Sequence, residues 1–328
     1  MSKNEKLYFI SLIQVIGMLL IVLSHSISQY AEYPEYTGGF VQAIQQAGLS
    51  AFMWCSGYLL IHTNSISRYG YGTYIRKRAT RLLLPYIVIQ LLMLAPKILI
   101  ARLTGTEMSV NLVHSFLWPR EGILPHLWFL PTLMIICAMA PCLVWGIETK
   151  KRASVTLTLL LAVSLLPSIP NIFALDDVKH YLFWFSLGMV FAKHLEVRKI
   201  DINNLKFGGG VLLFVMVYVC SMLFIKASSA QWMICNLCSL FVLLLVGLYF
   251  DRQSILEKLS RYTFTIYILS LPVQNVFEVL MGKFSINYVL ATVTMFITGF
   301  LIPLIIAIVV NKLEQKSIIK LISKCIGL

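Results

Sequence analysis

His25 and two clusters, Arg76-Lys77-Arg78-Ala-Thr-Arg81 and His126-Leu-Trp128, are the residues of this chain best suited to chemistry. Ser11, Gln14, Met18, Ile21, His25 and Ser28 fall on one helical face at 100° per residue. Gln14 and His25 are then nearly in line, about 16 Å apart along the axis. An imidazole titrates near neutrality and can act as a general base. The competing reading of His25 is a helix-to-helix hydrogen bond or a rim residue touching headgroups. Arg78 and Arg81 share a helical face, and paired guanidinium groups can clamp phosphates bidentately. Basic residues at a membrane edge also follow from topology alone. His126 is expected on the same side as His25, in a vestibule that Glu121, Asp176, Asp177 and His180 could share. Trp128 reads equally well as an aromatic-belt residue. Cys235 and Cys238 have a redox or metal spacing without histidine or acidic companions, so they read as packing residues and no metal is expected.

The elements that must carry these residues are membrane helices. Apolar residues make up 59% of the 328-residue chain and charged ones 12%, which excludes a disordered or ordinary soluble protein. Apolar stretches at 7–28, 41–62, 82–101, 127–147, 153–169, 178–192, 207–225, 232–250, 262–281 and 287–311 predict ten spans. All but six of the 27 lysines and arginines fall in every second connecting segment, which places both termini in the cytoplasm. The exceptions are Arg102 and Arg120 in one outer loop, Lys226 and Lys283 in two others, Lys179 at the outer edge of a span, and Lys97 inside a span. A net charge of +13 spread along cytoplasmic edges fits anionic lipid rather than nucleic acid. The first span is too long for an ordinary signal core, so a retained anchor is expected. Pro96, Pro131, Pro141, Pro272 and Pro303 lie inside spans and predict kinks. The fold expected is an all-α, polytopic bundle over 1–311. Residues 312–328, with Lys312, Lys316, Lys320 and Lys324 four apart, read as a cytoplasmic amphipathic helix. Without a soluble domain, any chemistry belongs to the bundle or its rims.

Several blocks, in order, resemble the integral-membrane acyltransferase family 3, whose members O-acylate bacterial envelope glycans. They are His25; Phe52-Met-Trp-Cys-Ser-Gly-Tyr58; Arg78-Ala-Thr-Arg81 with Pro85-Tyr86; His126-Leu-Trp-Phe-Leu130; Phe185-Ser-Leu-Gly-Met189; and Leu259-Ser-Arg-Tyr-Thr-Phe-Thr-Ile-Tyr267. The chain departs from the pattern where Gln14 replaces an arginine, Ser11 an acidic residue and Ser270 a histidine. The resemblance implies a multi-pass enzyme of the inner (plasma) membrane. Its donor would be cytoplasmic acetyl-CoA or another acyl-CoA, used as a substrate, with no tightly bound cofactor. Its acceptor would be a hydroxyl of an envelope polysaccharide or lipid-linked sugar. It also implies His25 as the base, Arg78, Arg81 and Gln14 along the donor, and His126, Trp128 and Ser270 as acceptor or supporting residues. The alternative is a non-catalytic polysaccharide export or transport component.

Overall fold

The structure, a computed structural model, describes residues 7–28, 38–104, 111–195, 229–251, 255–284, 286–313 and 317–328. The span expected over 207–225 lies outside the described residues. Every regular element among those described is helical. The first helix, α1 (Tyr8–Ser28), is the hub of the bundle. It packs against α2 (Gly38–His62), α10 (Ser229–Tyr249), α11 (Ile255–Ser260), α12 (Thr263–Lys283) and α13 (Tyr288–Leu313). Phe9, Ile13, Met18, Ile21 and Val22 are fully enclosed. Asp251 accepts a hydrogen bond from the Phe9 amide at 3.0 Å, satisfying one of the free donors of the first turn.

Small residues set how closely the helices meet, as expected where lipid gives no hydrophobic drive between them. A side chain on Gly48 of α2 would lie 2.6 Å from the Gly17 carbonyl oxygen of α1. Between α2 and α9 (Leu175–His194) the contact is reciprocal. A methyl on Gly57 would strike the Phe185 carbonyl, and one on Gly188 the Trp54 carbonyl. The Ser-Gly-Tyr and Phe-Ser-Leu-Gly-Met blocks of the sequence are therefore the two faces of one helix contact.

After the short α3 (Ser65–Tyr69), α4 (Tyr71–Thr104) runs 34 residues with Pro85 and Pro96 inside it. The loop that follows carries α5 (Leu112–Leu117) and two tight 3-10 turns, Pro119–Glu121 and Pro125–Trp128. It leads into α6 (Phe129–Ala138), which bends by 57° into α7 (Ala140–Gly146). The break falls at Met139 beside Pro141, which has no amide to continue the ladder. Pro131, also expected to kink the span, sits in the first turn of α6, where a missing donor is harmless. Helix α8 (Lys150–Ser164) then packs on α9.

Among the described residues, five helices are long and apolar enough to cross a membrane, and the bent α6–α7 pair makes six. They are α1, α4 over Tyr71–Leu99, α10 over Trp232–Tyr249, α12 and α13. Helix α13 turns Val289, Val293, Ile297, Leu301 and Ile305 outward in one stripe, a surface suited to lipid. By contrast α2, held between α1, α9 and α10, can carry the half-buried Gln45 and Gln46 because its neighbours are helices. The molecule is an all-helical membrane protein. The last helix is α14 (Ser317–Cys325). It lies against α4 and α13, burying Ser323, with Ile326 just beyond it, and leaving Leu321 and Ile322 exposed.

Candidate active site

His25 stands in the last turn of α1, half-buried, and His126 in the Pro125–Trp128 turn, buried. Their ring centroids are 6.1 Å apart at 77°. The loop bearing His126 is pinned from both sides. Gln90 of α4 accepts the Leu124 amide at 2.8 Å, and the Tyr267 hydroxyl of α12 donates to the His126 carbonyl oxygen. His126 Nε2 lies 3.2 Å from the Ile268 carbonyl oxygen, which can only accept. Nε2 therefore carries the proton, and Nδ1 presents a lone pair with no protein partner.

The two imidazoles open onto a cavity of about 370 Å³ whose other polar walls are Ser28, Lys97, Asn275 and Glu278. Sequence reasoning passed over the last three. A signal was there for two of them: Lys97 is a basic residue deep in the third apolar stretch, and Glu278 lies in the ninth. Ionisable residues within membrane helices mark functional sites by default. Among the described residues, neither Lys97 nor Glu278 has an ion-pair partner.

Of the acidic and histidine residues expected to share this vestibule, only His126 joins His25. Glu121 pairs with His114 at 2.7 Å, and Asp176 pairs with Lys179 at 2.8 Å and neighbours His180. Asp177 receives three hydrogen bonds from Arg120 at 2.6 to 3.0 Å and one from Asn171 at 2.7 Å. Burial works against the Arg120 charge, but these bonds to Asp177 outweigh it and hold the guanidinium above its ordinary pKa. Trp128 belongs to the same network. Arg120 lies 4.0 Å from its ring centroid and Tyr181 packs at 5.4 Å, while the Tyr181 hydroxyl donates to Gln46 at 2.5 Å. Trp128 thus ties the His126 loop to α9. Ser270 is buried on α12 and donates to the Tyr267 carbonyl at 3.2 Å; it is not on the cavity wall. One turn on, Gln274 clamps α12 to α1 by donating to the Val22 carbonyl and Ser26 hydroxyl.

The same helices carry a second cavity, of about 530 Å³, whose cationic walls are Arg76, Lys77, Arg81, Arg261 and Lys324. Arg81 and Lys97 both lie on α4, sixteen residues apart in the numbering, or about 24 Å along the axis. The sequence could not separate the two arginines of the Arg-x-x-Arg pair. Arg81 faces this cavity with its guanidinium 5.8 Å from the Phe264 ring centroid, whereas Arg78 lies 5.5 Å from the Tyr74 ring and off the wall. Gln14, half-buried on α1, lines neither cavity. Between them is an apolar constriction of about 20 Å³ formed by Ile21, Leu49, Phe52, Phe129, Phe264 and Tyr267. Phe264 touches Arg81 at one end of it, and Tyr267 holds the His126 backbone at the other. Cys235 and Cys238 are packed in α10 as expected, and among the described residues no cluster of ligands could hold a metal.

Two charged or polar cavities with a small apolar pocket lying near both suit a reaction whose partners arrive from opposite ends. Comparison with protein families gives the class. A family described as an acyltransferase domain matches residues 7–312. The chain belongs to this family, acyltransferase family 3, and is a membrane acyltransferase. No curated protein and no solved structure matches it.

Proposed function

We propose that the protein moves an acyl group, most simply acetyl, from acyl-CoA to a sugar hydroxyl of a cell-envelope polysaccharide or glycolipid. The donor nucleotide occupies the basic cavity on the cytoplasmic side, and the acceptor enters the histidine cavity on the outer side of the inner (plasma) membrane. Ten spans with both termini inside give this orientation, because the basic connecting segments then face the cytoplasm. The observation that carries the reading is the shared wall: α4 lines both cavities, α12 lines the histidine cavity while the two residues just before it line the basic one, and both helices hold the His126 loop.

The thioester arm follows the apolar neck and brings its carbonyl carbon beneath the two imidazoles. His25 takes the hydroxyl proton as the sugar oxygen attacks that carbon. The tetrahedral intermediate collapses with cleavage of the carbon–sulfur bond, and the proton passes to the departing thiolate. His126, whose Nδ1 lone pair is unclaimed, orients the acceptor hydroxyl. Trp128 supports the His126 loop, and Ser270 steadies the α12 turn that carries Tyr267. Arg81 contacts donor phosphate, Arg78 contributes positive field nearby, and Gln14 lies along the face of α1 that flanks the arm. Neither a metal nor nucleic acid has a part in this scheme. Family membership favours this reading over a non-catalytic export component.

Acetyl-CoA binding to the purified protein in lipid nanodiscs tests the donor side. Changing Arg78 and Arg81 together to alanine is expected to weaken binding more than tenfold. Unchanged affinity in that variant would remove the donor from the basic cavity.

A further inference from the structure

The wall of the basic cavity facing α4 comes from chain segments far from the Arg-x-x-Arg block. Arg261 immediately precedes the first turn of α12, and Asn311, near the end of α13, donates to the Tyr262 hydroxyl at 3.3 Å. Lys324 belongs to α14, beyond the stretch matched to the family. The docking of α14 is specific. Ser323 and Ile326 are buried, and Gly327 adopts a left-handed φ of 79° directly against the Phe264 ring. Any side chain at Gly327 would collide with that ring, the same ring that packs under Arg81. Lys324 is thereby held exposed on the cavity wall.

Five cations converge here and none of the lining side chains is acidic. Membrane topology accounts for basic residues at this end of the helices, but not for their meeting around one cavity from three separate elements. A diphosphate carries about two negative charges, and a phosphomonoester adds roughly 1.5 to 2 more at neutral pH. The positive end of the α12 dipole, beside Arg261, adds to the attraction for an anion.

We propose that α14 completes the donor site, with Lys324 and Arg261 holding a phosphate group separate from the one held by α4. The donor is then a nucleotide bearing a phosphomonoester in addition to its diphosphate. This rests on the acyl-CoA reading above and adds what selects the donor.

The test compares acetyl-CoA with 3′-dephospho-acetyl-CoA on the full-length protein in nanodiscs. The parent is expected to bind the phosphorylated donor at least tenfold more tightly. Arg261→Gln and Lys324→Gln should each erase most of that preference by weakening acetyl-CoA alone, while Lys324→Arg retains it. Arg81→Gln should weaken both donors together. Both Arg261 and Lys324 are exposed, so neither substitution disturbs a buried contact. Equal affinity of the parent for the two donors overturns the inference, as does equal weakening of both by the Arg261 and Lys324 variants. If the parent binds neither donor, the acyl-CoA reading itself fails and this inference falls with it.

Discussion

Lys97 and Glu278 sit in membrane helices beside two histidines, without an ion-pair partner among the described residues. Insertion scales put such a charge at about 3 kcal/mol at the centre of a span, and both residues lie towards the ends of theirs, where the cost is smaller but not absent. A hydroxyl-rich acceptor offsets that cost, since a carboxylate accepts from sugar hydroxyls and an ammonium donates to them. Glu278→Gln keeps the shape but gives up the stronger, charge-assisted bond. It is expected to lower the rate of acyl transfer at limiting acceptor on the order of tenfold, with acetyl-CoA affinity unchanged. Transfer at the parental rate would remove Glu278 from the acceptor site. At this scale His25 and His126 were legible because imidazoles at the ends of apolar stretches are conspicuous. Which acidic residues accompany them was not. Asp177 and Glu121 turn to cations in the connecting loops, a choice made by loop geometry that no spacing rule encodes.

At the scale of the helices, the glycine contacts between α2 and α9 explain blocks that the sequence displayed only as resemblance. The carbonyls of Trp54 and Phe185 occupy the space that side chains at Gly188 and Gly57 would need. Backbone cannot yield as a flexible side chain can, so Gly188→Ala must push the helices apart. A loss of about 1–3 kcal/mol is expected, visible as a lower unfolding temperature in detergent, with transfer falling as the His126 loop loses its α9 support. An unchanged unfolding temperature would show that the two helices are not held this closely. Helix positions followed the apolar stretches closely, as α1 and α12 illustrate. The division of the fourth span at Met139 was less legible, because of its two prolines only Pro141 interrupts a ladder already begun. That Arg81 and not Arg78 faces the cavity depends on how α12 and α14 approach α4, which one helix cannot reveal by itself.

Across the whole molecule, a narrow apolar pocket lined by Ile21, Leu49, Phe52, Phe129, Phe264 and Tyr267 lies near both polar cavities, and the proposed path of the acyl arm runs through it. The neck has room for little more than one water, so an acyl arm must part its rings or displace them. Leu49→Trp adds bulk to this wall without touching either set of polar residues. It is expected to cut transfer by a hundredfold or so, about 2.7 kcal/mol of barrier, while nucleotide binding at the basic cavity persists. Transfer at the parental rate would mean that the arm takes another path. Cationic residues at the two ends of α4 line the two cavities, and the stretch of α4 between them carries no charge. That separation was foreshadowed by the alternation of basic segments, but the neck was invisible, being assembled from four helices that meet only in three dimensions.

The most direct test of the account is the acyl-ester content of envelope glycans in cells making the parent or His25→Ala at equal membrane levels. A general base contributes about 10²–10⁴-fold to such a reaction, so the variant should leave the glycans essentially unacylated while the same amount of polymer reaches the surface. Equal acylation in the two strains would contradict the assignment of His25. Loss of surface polymer with its acylation intact would contradict the transferase account as a whole.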